Sequence, residues 1–322
     1  KEEGGAKASG PEALIEDLLE RLPEQFDLLE LNETAAPLLK GKDAPYIVVL
    51  LQELVRMNGL NAEIARSLEE LRKGLLGQLN MSQVMEDLLA ALSIGQVPGR
   101  NPFHTASWEK HAWPSMKGLV PWFADLVVRC DQLTRWSSNA GLRTPPSMWL
   151  PGLFNPTAFL TAIKQVTARN DGLPLDKMCT ETHVTNLASA ADVGDADRPA
   201  TGGALVHGLF LQGARWGNTA SPDHRYTLDP DGVNCSGELC DSKPKELLPL
   251  VPVVYVKAVV VQPSWDPSSV GYLRPEPTLY NCPVYTTTFR GPTFIFVATL
   301  KTTKPTSFWV LRGVALVCQT DD

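Results

Sequence analysis

The side chains that could do chemistry are few and poorly grouped. Cys235-x4-Cys240 is the tightest cysteine pair and could be half of a zinc site. A structural zinc needs four ligands, and no second pair or His-x-x-His completes the set. His104 and His111 share a loop but have no carboxylate or cysteine beside them. Asp192, Asp195 and Asp197 are spaced like the start of a calcium loop. The bidentate Glu at its twelfth position is missing, so they read as solvated loop. Gly41-Lys42 is followed by Asp43, and Ala36 stands where a phosphate loop needs its first glycine. Backbone amides that would cradle a triphosphate are therefore not expected. There is no Gly-x-Ser-x-Gly elbow and no His-Glu-x-x-His. His207 sits among apolar strand residues and reads as a packed or hydrogen-bonded imidazole, because a general base needs a placed partner. A hydrolase would require a His or carboxylate pair in a cleft, and the spacing shows none. The expectation is no catalytic residue, no cofactor and no metal.

Two arginines beside turn glycines or aromatics remain. Arg215-Trp216 follows a buried apolar run and a tight glycine turn, and Arg312-Gly313 lies within the apolar run 308–317. Each guanidinium could be offered to the ring modules of a larger protein, or could stack on Trp or bind barrel-loop carbonyls at home. Arg312 reads as mid-strand, which favours the local role. Arg215 and Trp216 are kept as the candidate interdomain contact.

Composition bounds the partners. The 322 residues are 43% hydrophobic and 20% charged, with a net charge of −7. That suffices for one large domain or two smaller ones with real cores. Residues 173–322 hold 12 basic and 15 acidic side chains, so charge is spread evenly and no basic face invites nucleic acid or an anionic membrane. No apolar run approaches the roughly 20 residues of a membrane span. The six cysteines form no framework, and Cys130 and Cys318 read as reduced core residues. The chain begins at Lys1 without Met or a signal pattern, as a piece of a longer protein would.

The elements that position these residues change character midway. Residues 1–10 read as a mobile lead-in. A short helix follows through Leu14, Leu18 and Leu22, stopped by Pro23, and Pro37, Gly41 and Pro45 mark a loop. Leu50, Leu54, Met57, Asn61, Ile64, Leu68, Leu71 and Leu75 alternate spacings of four and three, one apolar stripe along a long helix. A packed core helix explains it, and so would a short zipper between copies, with Asn61 at a seam position. Ser82 caps the next helix, Leu119–Leu133 forms another face, and Asn155-Pro156 opens a further helix closed by Gly172. Residues 181–187, 204–211, 253–261, 281–287, 293–300 and 308–317 are then six strand-like runs. The last two are joined by a link suited only to an antiparallel hairpin. The expectation is α+β: a helical subdomain at 1–172, then a small six-stranded antiparallel β-barrel at 173–322. Polar loops at 188–203 and 217–246 interrupt it.

The order of these segments carries a resemblance. Gln52-Glu53, Arg56, Asn58, Leu60 and Ser67-Leu68 stand on the long helix. Trp113-Pro114-Ser115-Met116-Lys117, Trp122, Asp125-Leu126, Arg129 and Trp136 follow, then Trp149-Leu150-x-Gly152-x-Phe154-x-Pro156. The sequence ends with 206–216, Cys282-Pro283, Arg290-Gly291 and 308–319. From about residue 12 onward this set resembles the C-terminal region of dynein heavy chains, the axonemal branch in particular. Asn155 and Thr157 depart from the residues usual beside Pro156, and 99–112 and 217–240 are longer than typical. The resemblance implies a non-catalytic structural and regulatory domain packed on the AAA+ ring of its own heavy chain, in the axoneme of a cilium or flagellum. The alternative is a docking module whose long polar loops, 217–246 above all, bind another axonemal protein or other axonemal dynein subunits.

Overall fold

A computed structural model describes residues 10–100, 108–199, 202–217, 227–228, 234–235, 237–260 and 279–320. The lead-in, His104 and most of the 217–240 loop lie outside these residues. The helices are α1 (Pro11–Arg21), α2 (Leu28–Leu38), α3 (Ala44–Leu75), α4 (Gln83–Ser93), α5 (Trp108–His111), α6 (Leu119–Ser138), α7 (Pro156–Asp171) and α8 (Thr306–Leu311). The strands are β1 (Ser147–Trp149), β2 (Met178–Val184), β3 (Ala204–His207), β4 (Phe210–Gln212), β5 (Arg215–Gly217), β6 (Thr227–Leu228), β7 (Asn234–Cys235), β8 (Glu238–Cys240), β9 (Val254–Val260), β10 (Leu279–Tyr285), β11 (Phe296–Lys301) and β12 (Ala315–Val317).

The apolar stripe lies on α3, which begins at Ala44 and runs 32 residues. Leu50, Leu54, Met57, Ile64, Leu68 and Leu71 are buried against α1, α2 and α4–α7. The stripe is thus the spine of one helical layer and not a zipper between copies. Each such residue contributes about 1.5–3 kcal/mol by leaving water. Asn61 is tolerated there because its amide donates to the Pro23 carbonyl at 3.2 Å and approaches Cys130 Sγ at 3.6 Å. The capping signals at the helix starts hold: the Ser82 hydroxyl accepts from the Met85 amide and the Asn155 side chain from the Ala158 amide. Gly172 closes α7 in the left-handed conformation. The segment marked by Pro37 is a helix, α2, rather than loop. The Asp27 carboxylate caps it by accepting from the Leu29 and Glu30 amides, and Pro37 falls one residue before its end.

The strands do not form a six-stranded antiparallel barrel. They make two four-stranded mixed sheets, ordered β1-β3-β9-β2 and β11-β10-β12-β4, with two small ribbons, β5-β8 and β6-β7. No sheet among the described residues closes on itself. Two pairings are parallel, β1 with β3 and β10 with β12. The two large sheets meet where β11 neighbours β2. There the Thr182 hydroxyl stands in for a ladder, donating to the Thr299 carbonyl at 3.3 Å and accepting from the Thr299 amide at 2.6 Å.

Two local causes break the expected barrel. The run 204–211 splits into β3 and β4, one in each sheet, at Gly208. Its φ is +88°, and an added Cβ would lie 2.4 Å from Trp149 Cδ1, so only glycine makes this turn against that ring. The run 308–317 is not one strand. Pro305 precedes the helix α8, Gly313 ends it at φ +61°, and only 315–317 is strand. Trp309 points inward from α8, its indole N–H donating to the Thr302 hydroxyl at 2.7 Å. The segment 301–307 is accordingly no hairpin. It leads into α8, which carries the backbone past β10 to β12. Helices and sheets share one apolar core, joining Leu126, Trp136 and Ile163 to Val206, Val256, Leu300 and Leu316.

Candidate functional site

Arg215 and Trp216 stand on β5 and alternate in direction, as strand neighbours must. Trp216 packs half-buried against the core. Its indole lies over Gly237, where a Cβ would come within 2.4 Å of Nε1. Arg215 Nε lies 3.7 Å from Glu246 Oε2, with both side chains about 30% exposed (29% and 30%). The ribbon partner β8 places Cys240 opposite Arg215, and Asp241 follows it. Asp241 binds both Lys304 and Arg312, the latter at 2.6 Å. Those two cations hold its carboxyl below the usual range, the Lys304 hydrogen bond contributing most. Lys304 Nζ and the Arg312 guanidinium each stand 4.2 Å from the Phe308 ring centroid. Arg312 is therefore not in mid-strand. It caps the C-terminal end of α8, and it stacks on Phe308 where a Trp or a loop carbonyl was expected. Beside it α8 turns Val310 and Leu311 outward, 59% and 88% exposed.

A second centre is buried. Arg129, on α6, is fully inaccessible. Its guanidinium lies 3.8 Å from the Trp113 ring centroid and 5.2 Å from that of Trp149, and Nη1 donates to the Leu153 carbonyl at 3.4 Å. Trp113 in turn stacks on Trp122, at 5.1 Å and 11°. Desolvation lowers the Arg129 pKa to about 9, while Asp125 and Glu53 oppose that shift. Glu53 on α3 is 1% exposed and accepts from the Phe154 and Asn155 amides at 2.6 and 2.9 Å. It pins the entry of α7 to the long helix. Burial pushes its carboxyl up, and those two amides, Arg129 and Arg56 pull it back.

The family model for the C-terminal domain of the dynein heavy chain matches residues 1–318. The chain belongs to that family. This dynein domain is 39% identical over 308 residues to the ciliary dynein beta chain of Tripneustes gratilla, covering 95% of this chain and 6% of that one. It is 37% identical over 317 residues to human axonemal dynein heavy chain 17, covering 98% and 6%. Against the flagellar outer-arm beta chain of Chlamydomonas reinhardtii it is 39% identical over 315 residues, covering 98% and 6%. The domain thus spans about 6% of the length of these relatives, which are of the axonemal type that the resemblance implied. It is, by family, the C-terminal domain of a dynein heavy chain.

Within this dynein domain His207 and the acids at 192–197 have structural partners. His207 Nδ1 lies 2.7 Å from Ser147 Oγ, since the parallel β1–β3 register sets Trp149 opposite His207. Burial lowers its pKa to about 4, so the imidazole is neutral at physiological pH. Asp192 accepts from the Ser189 amide and hydroxyl, Asp195 from Arg198, and Asp197 from the Gly194 amide. Asp192 and Asp197 cap short turns and Asp195 pairs with Arg198, so the three acids do not form one ligand set. Cys235 and Cys240 are not joined in a disulfide, and no group of three or more potential metal ligands occurs among the described residues. No helix among them is long and apolar enough to cross a membrane.

Arg129 and Glu53 are picked out in the sequence only by the family resemblance, yet a physical signal is present. Trp122, Leu126, Arg129, Leu133 and Trp136 are spaced four and three apart, which puts a cation on the buried face of α6. Glu53 lies three residues after Leu50 and four before Met57, on the buried face of α3.

Proposed function

We propose that this domain packs on the AAA+ ring of its own heavy chain and modulates an ATP-driven microtubule motor in the axoneme without chemistry of its own. Family membership supplies the context. The observation that carries the docking reading is α8. Leu311 is 88% exposed beside Val310 at 59%, flanked by Arg312 and Lys304 on Asp241. An apolar pair rimmed by charged groups has the make-up of an interface between domains. Arg215 stands on the ribbon that holds Asp241 in place, so the candidate contact extends from β5 to α8. The test uses a recombinant heavy chain with Val310→Ser and Leu311→Ser. Microtubule gliding velocity and ATPase rate should change while the thermal stability of the 322-residue chain does not. Unaltered velocity and ATPase would refute the docking role of this face.

A further inference from the structure

A cavity of about 210 Å3 lies between the α6–α7 connection and the end of the second sheet, lined by Trp113, Arg129, Phe154, Thr286, Cys318 and Gln319 among others. Asn155, Thr157, Thr286 and Gln319 add polar groups to the lining, but the buried polar atoms left without a partner among its residues are all donors. Arg129 is fully buried, and Nε and Nη2 have no hydrogen-bond partner. The indole N–H of Trp113, 3% exposed, has none either. All three are donors and none can accept. Nε and Nη2 are the two guanidinium nitrogens whose N–H bonds run parallel, the fork that grips two oxygens of one planar anion. Nη1 is anchored separately on the Leu153 carbonyl, and the Trp113 and Trp149 rings fix the guanidinium plane. The nearby acids are committed elsewhere: Glu53 to the Phe154 and Asn155 amides, Asp125 to Lys117 at 3.3 Å.

From this geometry we infer that the cavity is a binding site for a small oxyanion, a carboxylate held side-on by Arg129 with the Trp113 indole as third donor. A buried cation without a hydrogen-bonded counter-charge is costly, and a bound carboxylate offsets that cost. The carboxylate has two sources with the same chemistry. One is a free small anion. The other is Asp321 or Asp322, which follow Gln319 and Thr320 in the sequence.

The probe is sodium formate, titrated into the 322-residue chain against sodium chloride of equal ionic strength, with thermal unfolding as the readout. The expected result is a saturable rise in Tm on the order of a few degrees with formate alone, absent in Arg129→Lys, which keeps the charge but loses the fork. If the parent does not respond and the Asp321→Asn, Asp322→Asn double variant does, the protein's own carboxylates fill the site. No saturable response in either protein overturns the proposal and assigns the three donors to water. So does a response that persists in Arg129→Lys. Should Arg129→Lys fail to fold, the Arg129 Nε–H resonance of a 15N-arginine sample replaces it. It must move with formate and saturate at the concentration that saturates Tm, and a fixed resonance overturns the site.

Discussion

Removing the Glu53 carboxylate should loosen the joint between α3 and α7 without unfolding either helix. The carboxylate is 1% exposed and accepts two backbone amides, from Phe154 at 2.6 Å and Asn155 at 2.9 Å. Glu53→Ala leaves both amides without an acceptor in the core, at about 1–3 kcal/mol each. It also removes a negative charge that favours the buried Arg129 cation. Against this, deleting a desolvated carboxylate recovers part of its burial cost. The net expectation is a loss of about 2–4 kcal/mol. Glu53→Gln keeps one acceptor and turns an NH2 toward the other amide, so it should lose about half as much. Urea unfolding followed by tryptophan fluorescence reads this directly, because Trp113 stands edge-on 6.0 Å from the Phe154 ring and stacks on Trp122. The midpoint should fall at constant slope. If both variants stay within about 0.5 kcal/mol of the parent, the range of a neutral surface change, the reasoning is refuted.

Other consequences follow from the same contacts. The His207 pKa of about 4 lies below its unfolded value of about 6.5. The unfolded protein therefore takes up the proton first. This contribution is intact above pH 6.5 and is lost as pH falls toward 4, by about 2 kcal/mol between pH 7 and pH 5. Urea midpoints at the two pH values check this, and His207→Gln should lack that part of the slope. Gly208→Ala should destabilise by about 2 kcal/mol or more, since φ is +88° and the new Cβ meets Trp149 at 2.4 Å. A calorimetric scan with an unchanged Tm would contradict that. The 322-residue chain should show no saturable heat on titration with ATP, because no phosphate loop is present in its sequence, and measurable affinity would overturn the non-catalytic reading.

The helical half was legible because its signals are local. Asn155-Pro156 at one end and Gly172 at the other bound α7 without reference to the rest of the molecule, and the α3 stripe is a periodicity. The sheets were not, because which strand pairs with which is decided at long range. Nothing near Val284 or Tyr285 in sequence says that they lie beside Leu316 and Val317 in parallel. At 308–317 two local signals conflict: Pro305 and Gly313 bracket a short helix as Pro156 and Gly172 bracket α7, while the apolar composition of the run resembles a buried strand. Strand β1 is three residues long, too short to show a period of two. Arg129 and Glu53 were visible as charges on apolar helix faces, but only burial distinguishes such a residue from one that reaches past the face to solvent.

The central claim is that the face formed by β5 and α8 is covered by other parts of the heavy chain. Hydrogen–deuterium exchange measured on the isolated 322 residues and on the same residues inside the intact heavy chain tests it. Slower exchange across 215–217 and 306–312 in the intact heavy chain is the predicted result. Identical exchange there, with protection appearing on other faces, would contradict the account.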